Sequence, residues 1–136
     1  MNANANTISP PAAGSGQLPA DIPTDLWIGG SWRAASDGAR FEVHNPATEQ
    51  GIASVASATV EDCIGAGEVA HAAGDGWAAR TPRARGEVLR KAYELIMRDS
   101  ERLSRIITLE NGKSLSDSRA EIAYAAEFFR WNAEEA

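Results

Sequence analysis

Residues Thr81 to Lys113 (TPRARGEVLRKAYELIMRDSERLSRIITLENGK) carry the longest unbroken periodicity in the chain, with a readable start and stop. Thr81 before Pro82 is an N-cap followed by proline at the first helical position, where the missing N–H has no partner to lose. Leu89, Ala92, Ile96, Ser100, Leu103 and Ile107 recur at three- and four-residue steps, which places them on one stripe of an α-helix. Glu87 to Lys91 and Glu94 to Arg98 are four apart with the acid first, the favourable order on a solvated face. Asp99-Ser100 can cap a new helix, so a break is expected near Arg98, and Gly112 stops the second piece. A chain built on such an arm must find cover for one apolar stripe.

The flanking segments set what can provide it. Met1 to Asp25 contains Asn, Ala, Pro, Gly and Ser but no aromatic residue, too little apolar surface to offset the entropy of ordering, so residues 1–25 are read as a disordered tail, with a docking arm as the functional alternative. The body is then 26–136. Leu26-Trp27-Ile28, Gly29-Gly30 and Ser31-Trp32-Arg33 predict a hairpin whose glycines supply the positive φ of a primed turn. Asp37-Gly38 predicts a second turn, Phe41 to Val43 a strand, Asn45-Pro46 a further turn, and Ile52 to Ser57 the next strand. Thr59 with Asp62 opens a helix to about Trp77, its stripe expected at Val60, Cys63, Gly67, Ala70, Gly74 and Trp77. Each glycine within a helix costs ~1 kcal/mol against alanine, so this helix should be the weakest element. Ser114 with Asp117, or Ser116, caps a last helix with Ile122, Ala125, Phe129 and Ala133 along one face.

Composition excludes several functions. Thirteen basic against nineteen acidic residues, a net charge of −6, provide no basic footprint for nucleic acid or an anionic membrane surface. No apolar run approaches the ~20 residues of a membrane span, and the start has neither a basic n-region nor an apolar h-region. One cysteine and two histidines allow no internal disulfide and no zinc cage, in keeping with a reducing cytoplasm, and no metal ligands are assigned.

The motifs Leu103 to Lys113 (LSRIITLENGK), Glu121 within AEIAYAAEFFRW, Trp77, Arg85, Asn45-Pro46-Ala47-Thr48 and Ile28-Gly29-Gly30-Ser31-Trp32 stand in an order that resembles the amino-terminal part of the NAD(P)-dependent aldehyde dehydrogenases. Within that family, EIAYAAEFFRWNAEEA looks most like the succinate-semialdehyde dehydrogenases. The resemblance implies an α/β family in which this segment is α+β. Short antiparallel hairpin strands are followed by three to four helices, an incomplete and truncated part of the cofactor-binding domain. It also implies a glycine at position 49, where this chain has Glu49 and places its glycine at Gly51.

The chemistry implied by the resemblance is a thiolate attack on the aldehyde, hydride transfer to NAD or NADP, and hydrolysis of the thioester. The family's catalytic cysteine, general-base glutamate, oxyanion-stabilising asparagine and phosphate-binding glycines would all follow Ala136. No catalytic residue and no cofactor-binding residue is therefore assigned, and no cofactor is expected to bind this segment alone. Cys63 is expected in a core, His44 and His71 in structural or solvent-facing roles, and Glu110 and Glu121 at a surface or helix end. Gly112-Lys113-Ser114 has the tail of a phosphate loop, but Ile107 stands where its first glycine belongs, and Gly65-Ala66-Gly67 lacks the third glycine of a dinucleotide fingerprint. The one residue chosen for the substrate entrance is Phe128, on the helix that resembles the tunnel wall. The reading is an inactive amino-terminal fragment of an oxidoreductase, partnered by the missing remainder or by itself. The alternative is a non-catalytic helical interaction module, a gene remnant.

Overall fold

The computed structural model describes residues 18–136. Four strands precede four helices: β1 Leu26–Ile28, β2 Ser31–Arg33, β3 Arg40–His44, β4 Gly51–Ala56, α1 Val60–Ala78, α2 Pro82–Arg98, α3 Ser100–Asn111 and α4 Leu115–Glu135. β1 pairs antiparallel with β2 and β3 with β4, as two separate two-stranded sheets. This is the α+β segment that the motifs predict.

Gly29 and Gly30 take φ of 63° and 83°, which closes the first hairpin with a primed turn. Its register puts Trp27 opposite Trp32, their rings 5.0 Å apart and tilted. In the second hairpin Asn45 is buried and organises the turn. Its side-chain oxygen accepts from Ala47 N–H, its carbonyl from Thr48 and Glu49 N–H, and its own N–H donates to Gln50. Glu49 alone among the non-glycine residues described has a positive φ, 59°. With glycine displaced to Gly51, the turn keeps its left-handed residue and places a glutamate in it, while the ladder slips between Val43 and His44.

Helix ends follow the capping signals. Thr59 and Asp62 form a reciprocal capping box, Thr81 accepts from Ala84 N–H ahead of Pro82, Ser114 accepts from Asp117 N–H, and Gly112 ends α3 in the left-handed region at φ 74°. The arm breaks at Asp99, as expected. Its stripe from Leu89 to Ile107 is half-buried throughout.

Packing is closest between α2 and α4, at a residue with no side chain. Gly86 is buried, and a Cβ built there would lie 2.7 Å from the carbonyl oxygen of Ala133. Between α3 and α4 the contact runs through Ser104 and Ser118, both fully buried. Their hydroxyls donate back to the carbonyls of Ser100 and Ser114, and Ser118 shares a 2.9 Å hydrogen bond with Thr108. Arg119 of α4 adds two 2.9 Å hydrogen bonds to Glu101 of α3.

Several expectations need correction. The buried line of α4 is Ser118, Ile122 and Ala126, not the line through Ala125, which is exposed. A four-residue step follows the seam against α3, whereas the expected face rolls towards solvent. In α1 the predicted stripe is not buried: Val60 is 70% exposed, Trp77 is 40% exposed, and Cys63 is on the surface instead of in a core. Gly67, Ala70 and Gly74 give that stripe too little side chain to grip a neighbour, and the one buried residue of α1 is the polar Asp62. The i,i+4 pairs are also re-partnered: Glu87 meets Arg90, Lys91 meets Glu94, and Arg98 chelates Asp99 at the helix break.

Of the tail expected through Asp25, residues 1–17 lie outside the described residues. From Leu18 onward the chain lies against the body: Asp21 pairs with Arg102 at 2.8 Å, Asp25 with Arg40 at 2.7 Å, and the carbonyl of Thr24 accepts from Ala56 N–H at 2.8 Å.

Candidate functional site

Phe128 lies on the open side of α4. Tyr124, Phe128 and Trp131, four and then three residues apart, form one helical line facing away from the α3 seam, and all three are exposed. Tyr124 and Phe128 meet edge to face with centroids 4.9 Å apart, a favourable arrangement for two π-systems. With Glu127 these three residues line a shallow depression of about 270 Å³. On its other side Phe128 joins Phe129, Asn132, Leu89 of α2 and Trp77 of α1 around a second groove of about 390 Å³. Phe128 is thus the shared wall of two adjoining apolar surfaces.

The polar groups around this face are locked in pairs. Glu127 is bound by Arg130, which holds its carboxyl below the usual glutamate range, and Arg130 also reaches Glu134. Asn132 donates to the carbonyl of Phe128 at 2.7 Å, which fixes the helix one turn along. Arg80 stands over the Trp77 ring at 5.8 Å, within cation–π range. The face can therefore bind or position an apolar group. Proton transfer and covalent chemistry require other residues.

The remaining candidates are dispersed. His44 Nε2 lies 3.4 Å from the Glu42 carboxylate on the exposed second hairpin, while His71 is exposed on α1. Glu110 is exposed near the end of α3, and Glu121 is held by Lys113. Among the described residues no group of three or more His, Cys, Asp or Glu can hold a metal ion. No described helix is long and apolar enough to cross a membrane.

A nicotinamide dinucleotide needs free backbone N–H groups at a glycine-rich turn for its pyrophosphate. Gly112 instead ends α3 against Pro46, Lys113 is committed to Glu121, and Ser114 closes the N-terminus of α4 with its own hydroxyl. Gly65 and Gly67 lie within α1. These residues do not fit a dinucleotide phosphate.

Sequence reasoning missed Tyr124 and Trp131 beside Phe128, although their spacing from it was legible as one helical line. It also missed Gly86, whose significance is a contact with the distant Ala133 and leaves no local signal.

Two antiparallel hairpins lead into a capped helical arm, with Asn-Pro at the second turn and Asn-Gly-Lys at the arm's end. The aldehyde dehydrogenase family model matches residues 32–136, and the chain belongs to that family. Among its relatives, succinate-semialdehyde dehydrogenase [NADP(+)] 1 of Schizosaccharomyces pombe is 39% identical over 116 residues, 85% of this chain and 23% of that protein. The succinate-semialdehyde dehydrogenase of Paenarthrobacter nicotinovorans is 49% identical over 84 residues, 62% of this chain and 19% of that protein. The solved succinate-semialdehyde dehydrogenase of Burkholderia pseudomallei superposes with a TM-score of 0.82 at 39% identity, over 90% of this chain and 25% of that one. A betaine aldehyde dehydrogenase of Staphylococcus aureus, solved with NAD+, superposes with a TM-score of 0.78 at 27% identity, over 83% and 23%. The chain thus spans about a quarter of the length of these relatives. It matches an incomplete part of their fold.

Proposed function

We propose that the chain is the amino-terminal part of an NAD(P)-dependent aldehyde dehydrogenase that oxidises succinate semialdehyde to the acid, and that alone it is inactive. Its own residues contribute scaffold and, at Phe128, one wall of the substrate entrance; the thiolate, the general base and the cofactor loop belong to sequence outside it. The observation that carries this reading is the match of 90% of the chain to a quarter of a solved succinate-semialdehyde dehydrogenase. The exposed line of Tyr124, Phe128 and Trp131 supports it, because the remainder of an enzyme supplies what such a face is missing. The single cysteine supports a reducing, cytoplasmic setting.

The second reading, a non-catalytic module or gene remnant, is favoured by one set of observations. Gly67 and Gly74 interrupt the stripe of α1, and Glu49 occupies a left-handed position suited to glycine.

Grafting decides between them. The chain alone, given succinate semialdehyde with NAD or NADP, should produce no nicotinamide absorbance. Residues Trp32 to Ala136, placed in the S. pombe enzyme in lieu of its matching segment, should give a folded enzyme that oxidises succinate semialdehyde. In that graft Phe128→Ala should raise KM and leave kcat within about twofold, as loss of uniform binding requires. A graft that folds and is inert favours the module, and aldehyde-dependent reduction by the chain alone overturns the first reading.

A further inference from the structure

The attachment of α1 differs from that of every other helix. Of its residues Asp62 alone is buried and only Gly65 and Ala66 are half-buried, whereas α2 and α3 each add a half-buried apolar stripe to their one buried residue. At this N-terminal end the Asp62 carboxylate accepts from Ser36 N–H at 2.9 Å, Thr59 N–H at 3.1 Å and the Ser36 hydroxyl at 3.2 Å, and it pairs with Arg33 at 3.3 Å. At the other end Arg85 of α2 donates to the carbonyls of Arg80 at 2.8 Å and Ala78 at 3.5 Å, which pins the close of α1 to the start of α2. Between these ends Val69 lies beside Gly29, and Trp77 borders the groove shared with Leu89 and Phe128.

We propose that α1 is a hinged arm: the Asp62 knot is its latch, the Ala79–Thr81 link pinned by Arg85 is its hinge, and the arm opens as a unit while α2, α3 and α4 remain packed. The physical reason is an imbalance in what opening exposes. Val60, Ile64 and Val69 are already exposed, so releasing them uncovers little apolar surface, and the broken contacts are hydrogen bonds that water replaces. Opening α4 from α2 and α3 must instead uncover Gly86, Ile122 and Ala126 and separate the Ser104 and Ser118 seam. Segments with few buried apolar contacts open at free energies below that of global unfolding. The capping box at Thr59 is part of the latch, so opening also frees the first turn of α1.

Hydrogen exchange of the full chain, read by segment, tests this. In the unmodified chain the amides of α1 should be at least about tenfold less protected than those of α2 and α4 around Gly86 and Ile122. Asp62→Asn, which keeps the shape and removes the charge, should lower protection across α1 by a further factor of about ten and leave α2 and α4 within about twofold. Equal protection of α1 and α4 in the unmodified chain overturns the proposal, and this holds even if the variant fails to fold. A uniform loss across all four helices in a folded Asp62→Asn protein also overturns it, as does a variant whose α1 is unchanged.

Discussion

Adding one methyl group to Gly86 should destabilise the chain, although alanine is the better helix former. In an open helix the change gains about 1 kcal/mol. At Gly86 the new Cβ would meet the Ala133 carbonyl oxygen at 2.7 Å and the Ala136 Cβ at 3.7 Å. Ordinary contact begins at 3.4 Å, so the oxygen must retreat by about 0.7 Å. That oxygen is backbone within the last turn of α4, so it moves only if the turn moves, taking Arg130 and its pairs with Glu127 and Glu134 along. Overpacking of this kind costs about 1–3 kcal/mol, which exceeds the propensity gain and leaves a net loss of about 1 kcal/mol. For a domain of this size such a loss lowers the midpoint by about 4 °C or somewhat more. The control is Gly67→Ala, where nothing lies within 4 Å of the added carbon and the full gain should appear as a higher midpoint. Thermal and urea melts followed by far-ultraviolet circular dichroism measure both. Midpoints that move in the same direction for the two variants would refute the assignment of Gly86 as the packing limit between α2 and α4.

Three further outcomes are expected. The Asp62 carboxyl is held below its ordinary value, first by the Ser36 N–H and then by the Thr59 N–H. Its stabilisation is therefore complete above about pH 4, where the unfolded group is ionised, and is lost as pH falls through the folded value; helicity of α1 should decline below about pH 4 in the parent and show no such step in Asp62→Asn. Glu49→Gly relieves a left-handed glutamate and should stabilise by about 0.5–1 kcal/mol after the entropy that glycine adds to the unfolded chain, measurable as a shift in the urea midpoint. We expect the isolated chain to bind an apolar dye and self-associate through the aromatic line of α4; Phe128→Ser with Trp131→Ser should reduce both in light scattering and dye fluorescence, and unchanged association would place the contact elsewhere.

The legible parts of the fold are those encoded locally. Thr59, Thr81, Gly112 and Ser114 each mark a helix boundary through a cap or turn within a few residues, and the structure uses all four; Asp99 marks the break, but its carboxylate binds Arg98 and caps no N–H of α3. Gly29-Gly30 announced its turn in the same way. Facing direction was harder to read. Along α4 both the 122–125–129 line and the 118–122–126 line are consistent with a helical period, and the choice between them rests on Ser104 and Thr108 of α3. In α1 the capping signature is legible in Thr59 and Asp62, yet the carboxylate that makes it also reaches Arg33 and Ser36, contacts some thirty residues away. The candidate site was legible to the extent of one residue: Phe128 lies in the exposed apolar face of α4, while its neighbours Leu89 and Trp77 come from other helices.

The close of α3 concentrates two demands on a single position. Gly112 has a backbone that side chains rarely adopt, and a Cβ there would lie 2.8 Å from Cγ of Pro46, on the turn between β3 and β4. Asparagine, the usual substitute in a left-handed cap, satisfies the first demand and fails the second. A saturation library should therefore show an empty column at 112, whereas 65, 67, 74 and 76, with open space around each, should accept alanine and more. Among the glycines, intolerance to a side chain would then mark Gly112, where the second hairpin meets α3, and Gly86, where α2 meets α4, and a glycine count alone would reveal neither boundary.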